Sequence, residues 1–243
     1  MPEVSVSIAQ VAEGELADPR AAIRWVRRLG VRWIQLDAAR RGIRPRELDR
    51  SGRRDLAAFL RREELLCTGL DLWIPEEHFT DPQHVDRAVM AVDAACAMVA
   101  EIDAVARLVC VRLPEDVGSD VTAQLQASGE HHGARVADHR AGSALPFVGI
   151  DPASEYIAGR DPAAAVAEAD GRLVTARLSD LSAIGRCVPG SAGGHLDLTL
   201  YAANLATANY QLPVVLDLRG LPEVEEAARH ALEHWNNATA FPV

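Results

Sequence analysis

Ionisable side chains recur where predicted strands end. Asp151 and Asp217 each close an apolar run, and Arg177 lies on the run between them. Two carboxylates about 4 Å apart repel one another by about 4 kcal/mol at an effective dielectric near 20, so something must offset their charge. A guanidinium, a divalent metal ion or a shared proton would each do so. Asp151 and Asp217 are therefore candidates for acid/base chemistry or for metal binding, and the residue types alone leave both open.

Further polar residues at the predicted strand ends extend this candidate site. Asp138 follows the fifth run and is a third candidate for acid/base chemistry or metal binding. Arginines at three run ends could hold a phosphate or a polyhydroxyl substrate, since a guanidinium binds phosphate bidentately. Trp73 could form the wall of a sugar pocket. The predicted substrate-binding residues are Arg177, Arg112, Arg219, His139, His195, Trp73 and Asp37.

Eight short runs rich in Val, Ile and Leu must position these side chains. They cover residues 4–8, 31–37, 65–74, 106–113, 134–139, 147–151, 173–178 and 214–218. Such runs are typical of strands buried on both faces of a parallel sheet. The amphipathic segments between them predict helices, and three of these are expected to open at an Asp-Pro pair. The pairs begin at Asp18, Asp81 and Asp161.

The alternation of strands and helices over 243 residues predicts an α/β fold, a (β/α)8 TIM barrel forming a single domain over residues 1–243. An open, doubly wound sheet is the alternative, although its dinucleotide-binding form is disfavoured because no GxGxxG follows the first strand. Residues 140–146 are too few for a helix, so the fifth helix is expected to be missing or reduced. In such a barrel the chemistry lies at the carboxyl ends of the strands, where the polar residues fall.

Composition limits the classes of partner. The 35 Asp and Glu residues outnumber the 25 basic residues, which leaves a net charge of −10 and disfavours nucleic acid. No lysine is present, which excludes Schiff-base chemistry and a P-loop. The four cysteines form no CxxC pair, the sequence begins without a visible secretory signal, and no apolar run is long enough for a bilayer. We therefore expect a cytoplasmic protein with no membrane partner.

The order of five short motifs resembles the sugar phosphate isomerase/epimerase family, the xylose isomerase-like TIM barrels. The motifs are LGVRWIQLD at 29–37, GIDP at 149–152, ARLSD at 176–180, GHLD at 194–197 and VVLD at 214–217. The resemblance covers almost the whole chain. It implies an isomerase or epimerase of carbohydrate metabolism that acts on a small sugar or sugar phosphate by carboxylate acid/base chemistry at the barrel mouth.

In that family a Glu, an Asp, a His and a Glu from strands five to eight hold one divalent metal ion. Asp151 and Asp217 match two of these ligands, the first falls at Ala137 or at Asp138, and Arg177 occupies the His position. The resemblance thus implies no cofactor, or a divalent ion such as Mn, Mg or Zn on Asp151, Asp217 and Asp138. Because an arginine repels a cation, we expect weak or no metal binding, with Arg177 lying between Asp151 and Asp217.

Two other functions stay open. Arg177 at the His position favours a catalytically degenerate barrel that serves as a small-molecule binding or assembly protein. A metal-dependent abasic-site endonuclease, a relative within the same group, is disfavoured by the net charge of −10 and by the incomplete ligand set. Formation of a homo-oligomer is also left open.

Overall fold

The strands of the computed structural model close into a parallel barrel, which confirms the predicted fold. The structure describes residues 3–11, 14–140 and 142–240. The eight barrel strands are β1 (Val4–Ser7), β2 (Trp33–Asp37), β3 (Leu66–Asp71), β4 (Leu108–Val111), β5 (Arg135–Asp138), β6 (Phe147–Ile150), β7 (Leu173–Leu178) and β10 (Val214–Leu216). Their order is β1-β10-β7-β6-β5-β4-β3-β2, with each strand parallel to its neighbours. An antiparallel hairpin, β8 (Asp180–Ser182) and β9 (Gly185–Cys187), lies between β7 and β10.

Helices fill most of the connections. They are α1 (Pro19–Arg28), α2 (Arg50–Arg62), α3 (Val85–Glu101), α4 (Ser119–His132), α5 (Pro152–Ile157), α6 (Pro162–Glu168), α7 (Leu198–Thr207) and α8 (Val224–Thr239). The short helix α5 and the hairpin have no counterpart in the sequence prediction. None of the helices in the described ranges combines the length and the apolar character needed to cross a membrane.

Two of the three predicted Asp-Pro helix openings are confirmed. The Asp18 carboxylate accepts the backbone N–H of Ala21 at 2.8 Å, and the Asp161 carboxylate caps α6 by accepting the N–H of Ala163 at 3.0 Å. The third prediction is wrong. Asp81 accepts the N–H of Gln83 at 2.8 Å and binds the ring of His84 at 2.5 Å. These bonds close a separate turn, and α3 begins only at Val85.

The predicted absence of the fifth helix is confirmed, since the described residues between β5 and β6 contain no helix. Arg172 supplies hydrogen bonds to the backbone of this connection. Its Nη1 donates to the carbonyl oxygens of Ser143 at 2.9 Å and Leu145 at 3.2 Å. Backbone carbonyls that a helix would pair internally are thereby satisfied by one side chain.

Alternation along the strands separates the barrel lumen from the layer beneath the helices. Ala137 packs with Cys110 in a small cluster inside the barrel. Val136 and Val111 instead belong to the main core that the helices cover. Because successive strand residues point to opposite faces, this parity decides which strand-end side chains reach the mouth.

Candidate functional site at the barrel mouth

A buried ion pair crosses the barrel beneath its mouth. Arg177 on β7 donates from both terminal nitrogens to Asp71 at the end of β3, and both side chains are fully buried. Asp71 also accepts from Ser7 Oγ at 2.5 Å and from Gln35 Nε2 at 2.6 Å. Burial alone would lower the pKa of Arg177, but the Asp71 carboxylate raises it above its ordinary value. Arg177 is therefore a permanent cation held by Asp71.

This pairing overturns the expectation that Arg177 lies between Asp151 and Asp217. β3 and β7 stand on opposite sides of the barrel in the strand order, so the long guanidinium side chain reaches across the lumen. The Asp71 carboxylate at the strand-three end accepts from both terminal nitrogens of Arg177 and is itself held by the Ser7 and Gln35 donors.

Two other arginines bridge Asp151 and Asp217. Arg219 donates from Nε to both oxygens of Asp217 at 2.9 and 3.0 Å, and its Nη2 reaches Asp151 at 3.2 Å. Arg186, carried by the β8–β9 hairpin, lies 3.0 Å from Asp217 and 3.4 Å from Asp151. Ser179 Oγ donates to the remaining oxygen of Asp151 at 2.5 Å. We call the four charged side chains, Asp151, Arg186, Asp217 and Arg219, the mouth network.

The mouth network keeps both carboxylates ionised. Burial would raise the pKa of Asp217, but Arg219 and then Arg186 hold it well below its ordinary value. Burial opposes ionisation of Asp151 as well, and Arg186 lowers the net pKa of that carboxyl. The two carboxylates face two guanidinium groups, so the mouth network is electrically balanced from within. Low pKa values make both groups weak bases at neutral pH.

Trp73 and His139 close the inner end of the mouth. The Arg219 guanidinium lies 4.0 Å and the Arg177 guanidinium 5.2 Å from the centre of the Trp73 ring, within the range of cation–π attraction. The His139 ring meets Trp73 edge-on at 5.3 Å, and its Nε2 lies 3.4 Å from Arg177 Nη2. Burial, and next the charge of Arg177, lower the pKa of His139 well below its ordinary value. His139 is thus a neutral ring at neutral pH.

The structure corrects the placement of Asp138. Its Oδ1 accepts the N–H of Leu113 at 3.0 Å and its Oδ2 lies 3.5 Å from Arg140 Nε. Among the described residues it shares no hydrogen bond or ion pair with the mouth network. Asp138 has the parity of Val136, so it points away from the lumen, whereas His139 points inward. Burial raises the pKa of Asp138 to about 6.

Three further predicted site residues lie outside the mouth network. Arg112 pairs with Glu76 at 2.6 Å. Asp37 accepts the N–H of Ala39 at 2.8 Å, and its pKa is raised mainly by burial. His195 is exposed on the loop after the hairpin, where its ring meets Tyr156 at 5.6 Å. Their roles in substrate binding stay predictions.

Sequence reasoning missed Arg186. Arg186 lies between the apolar runs of β7 and β10, and the hairpin strands that carry it contain only three residues each. One signal was present in the sequence, the glycine Gly185 directly before Arg186. In the structure Gly185 adopts a φ of 126°, which only glycine adopts easily. A glycine-centred turn between two short polar segments is consistent with a hairpin.

The mouth does not fit the divalent metal ion that the resemblance implies. No group of three or more His, Cys, Asp or Glu residues in the described ranges is arranged to hold a metal ion. The Asp151 and Asp217 carboxylates are turned to Arg186 and Arg219, and these cations occupy the space in which another cation would need to sit. Arg177 adds a further positive charge at the position of the family's histidine.

Comparison with known proteins agrees with this fold. No protein-family model matches the chain, and no curated protein matches its sequence. D-Psicose 3-epimerase from Clostridium cellulolyticum, solved with D-tagatose, superimposes with a TM-score of 0.71 at 16% identity, covering 98% of this chain and 99% of that one. A xylose isomerase domain protein from Planctomyces limnophilus gives 0.72 at 12% identity, over 98% and 96% of the two chains.

A sugar phosphate isomerase/epimerase from Parabacteroides distasonis is also similar, with a TM-score of 0.70 at 11% identity over 99% of this chain and 95% of that one. At such identities the likeness concerns the fold. The chain therefore shares the TIM-barrel fold of these proteins, as the sequence predicted.

Proposed function

We propose that this barrel binds a small sugar or sugar phosphate at its mouth and does so without the divalent metal ion that the family resemblance implies. The observation that carries this proposal is the mouth network, in which Arg186 and Arg219 bridge Asp151 and Asp217. A sugar hydroxyl both donates and accepts hydrogen bonds, and paired carboxylates and guanidiniums offer both functions at fixed positions. Trp73 supplies an aromatic wall beside them.

The arginines are the part of the mouth network that a ligand meets first. The side chains of Arg186 and Arg219 are 19% and 17% exposed, whereas Asp151 is 2% exposed. A phosphate or sugar acid would bind to these guanidiniums bidentately. Arg177 is fully buried and already paired with Asp71, so we place it beneath the ligand as the residue that supports Trp73.

An isomerase or epimerase is the second candidate. It is supported by structural neighbours described as sugar epimerases and isomerases and by the meeting of the strand-six and strand-eight acids at the mouth. In this function a substrate anion would displace Arg186, which would raise the pKa of Asp217 or Asp151 enough for proton transfer. Binding is common to both candidates, and only the second requires turnover.

Calorimetry with pentoses, hexoses and their phosphates tests the binding step. We expect at least one of these compounds to bind, and Arg219→Ala to weaken its binding at least tenfold, as loss of a bidentate charged contact would. Arg229→Ala, a surface change on α8, is the matched control and should bind normally. Absence of binding across the panel, or equal binding by both variants, would overturn the proposal.

Proton exchange separates the two candidates. A ligand that binds is incubated in deuterium oxide with the protein, and nuclear magnetic resonance follows exchange of the proton on the carbon beside the carbonyl. We expect no exchange above the rate without protein. Exchange that Asp217→Asn abolishes would instead establish the acid/base enzyme.

A further inference from the structure

A cavity has Trp73 among its lining residues. Its volume is about 620 Å³, within the range of small-molecule sites. Three segments enclose it: the loop after β2, the loop after β3 and the first half of α3. The mouth network contributes none of the cavity's lining residues.

Apolar side chains form the floor of this cavity. Leu72 and Ala88 are buried there, and Met90 at its edge leaves 70% of its surface exposed. Ala88, Ala91 and Ala94 recur every three residues on α3, so their methyl groups line the cavity along one face of the helix. Small side chains at this spacing leave space that larger residues would fill.

The rim of the cavity is cationic. Arg44, Arg46 and Arg87 line it, and no Asp or Glu does so within the described ranges. Glu47 pairs with Arg44 at 3.3 Å, whereas Arg46 and Arg87 share no ion pair with any residue that the structure describes. His78 and His84 stack at 4.4 Å beside them, with Asp81 holding the His84 ring. This rim stands out on a chain whose net charge is −10.

We propose that this cavity is a binding site for a small amphipathic anion: an apolar body lies against the α3 alanines and Trp73, and a carboxylate, sulfonate or phosphate group meets Arg46 and Arg87. The apolar floor stabilises the body by removing its surface from water. Two exposed arginines without carboxylate partners supply the charge-assisted hydrogen bonds. The site shares Trp73 with the sugar site proposed above but none of the mouth network, and its proposal does not depend on that function.

Naphthalene-2-sulfonate is a probe with both required features. Calorimetry should detect one equivalent bound, no binding of methanesulfonate, which lacks the apolar body, and at least tenfold weaker binding of 2-naphthalenemethanol, which lacks the charge. Equal affinity for the sulfonate and the alcohol would overturn the assignment of an anion site.

Substitutions locate the probe. Arg46→Glu combined with Arg87→Glu should weaken binding of naphthalene-2-sulfonate at least tenfold, whereas Arg28→Glu on α1 combined with Arg61→Glu on α2, with the same change in net charge, should alter it less than twofold. Ala94→Trp, at a half-buried position, should fill the cavity and abolish binding while the melting temperature stays near that of the parent. Equal losses in the two double variants, or unchanged binding by Ala94→Trp, would place the probe elsewhere and overturn the proposal.

Discussion

At the scale of single residues, the pair of Arg177 and Asp71 sets the stability of the barrel interior. Neither side chain touches solvent. Burying two charges costs several kcal/mol per ion, and their mutual attraction with the Ser7 and Gln35 hydrogen bonds offsets that cost. The pair links two strands on opposite sides of the barrel, so removing one partner should lower the stability of the whole fold.

Asp71→Ala should therefore lower the free energy of unfolding by about 3 to 5 kcal/mol, because it leaves the Arg177 charge buried without a partner. Urea unfolding at neutral pH measures the change. The double variant Asp71→Leu with Arg177→Met removes both charges and should recover most of the loss. A single variant that costs less than about 1 kcal/mol would show that water or another group already satisfies Arg177.

Gly149 is a second residue that the barrel interior requires, because the His139 ring leaves no room for a side chain there. A methyl group at this position would lie 2.5 to 2.7 Å from atoms of the His139 ring. Gly149→Ala should destabilise the fold by about 1 to 3 kcal/mol through this overlap. Gly142→Ala, with open space around it in an exposed turn, should cost a few tenths of a kcal/mol at most.

The variant His139→Ala tests whether overlap with the His139 ring causes the loss of stability in Gly149→Ala. Combining Gly149→Ala with His139→Ala should cost less than the sum of the two single changes, because the ring is no longer there to be displaced. Strict additivity in thermal or chemical unfolding would contradict the proposed contact.

At the scale of elements, the barrel strands were predictable and the hairpin was not. Buried parallel strands are continuous apolar runs, and such runs show in the sequence. β8 and β9 hold three residues each, with no apolar pattern. Arg186 therefore entered no prediction, although it binds both aspartates. Its position depends on long-range packing that local patterns do not encode.

Asp138 shows a different limit. A run of apolar residues gives the extent of a strand but not which of two adjacent end residues points inward, and one step along a strand reverses the face. The pair Asp138 and His139 fell at such a boundary. Only the packing of Ala137 inside the barrel settled that His139 is the inward residue.

The hairpin depends on Asp180 at its base. One oxygen of Asp180 accepts the N–H groups of Leu181 at 2.7 Å, and of His195 and Leu196 at 2.9 Å. Asp180→Ala should release residues 181–196 and cost about 1 to 3 kcal/mol of stability, since the buried N–H of Leu196 and the part-buried N–H of Leu181 lose their acceptor.

Hydrogen exchange followed by mass spectrometry measures that release. Peptides covering residues 181–196 should exchange faster in Asp180→Ala, while peptides of α2 should keep the parent's rate. Faster exchange in every peptide would indicate general unfolding, and unchanged exchange in the hairpin would show that Arg186 holds it in place without Asp180.

At the scale of the whole molecule, buried carboxyls of two kinds act on stability in different pH ranges. The arginines of the mouth network lower the pKa of Asp217, so its contribution is present above the ordinary pKa of an aspartate and is lost as the pH falls below about 4. Asp138 is opposite. Burial raises its pKa from 3.8 to about 6, so the folded state binds its proton more tightly than the unfolded state does.

Asp138 should therefore cost nothing below about pH 4 and progressively destabilise the fold as the pH rises to about 6. Asp138→Asn keeps an oxygen that can accept the Leu113 N–H and carries no charge at any pH. We expect this variant to exceed the parent's free energy of unfolding by about 1 to 3 kcal/mol at pH 7, with the advantage gone at pH 4. Urea unfolding at pH 4, 5, 6 and 7 gives the comparison, and Asp116→Asn in an exposed turn is the control. An advantage for Asp138→Asn that is equal at pH 4 and pH 7 would mean that the gain comes from packing, and that the carboxyl of Asp138 titrates as it does in the unfolded chain.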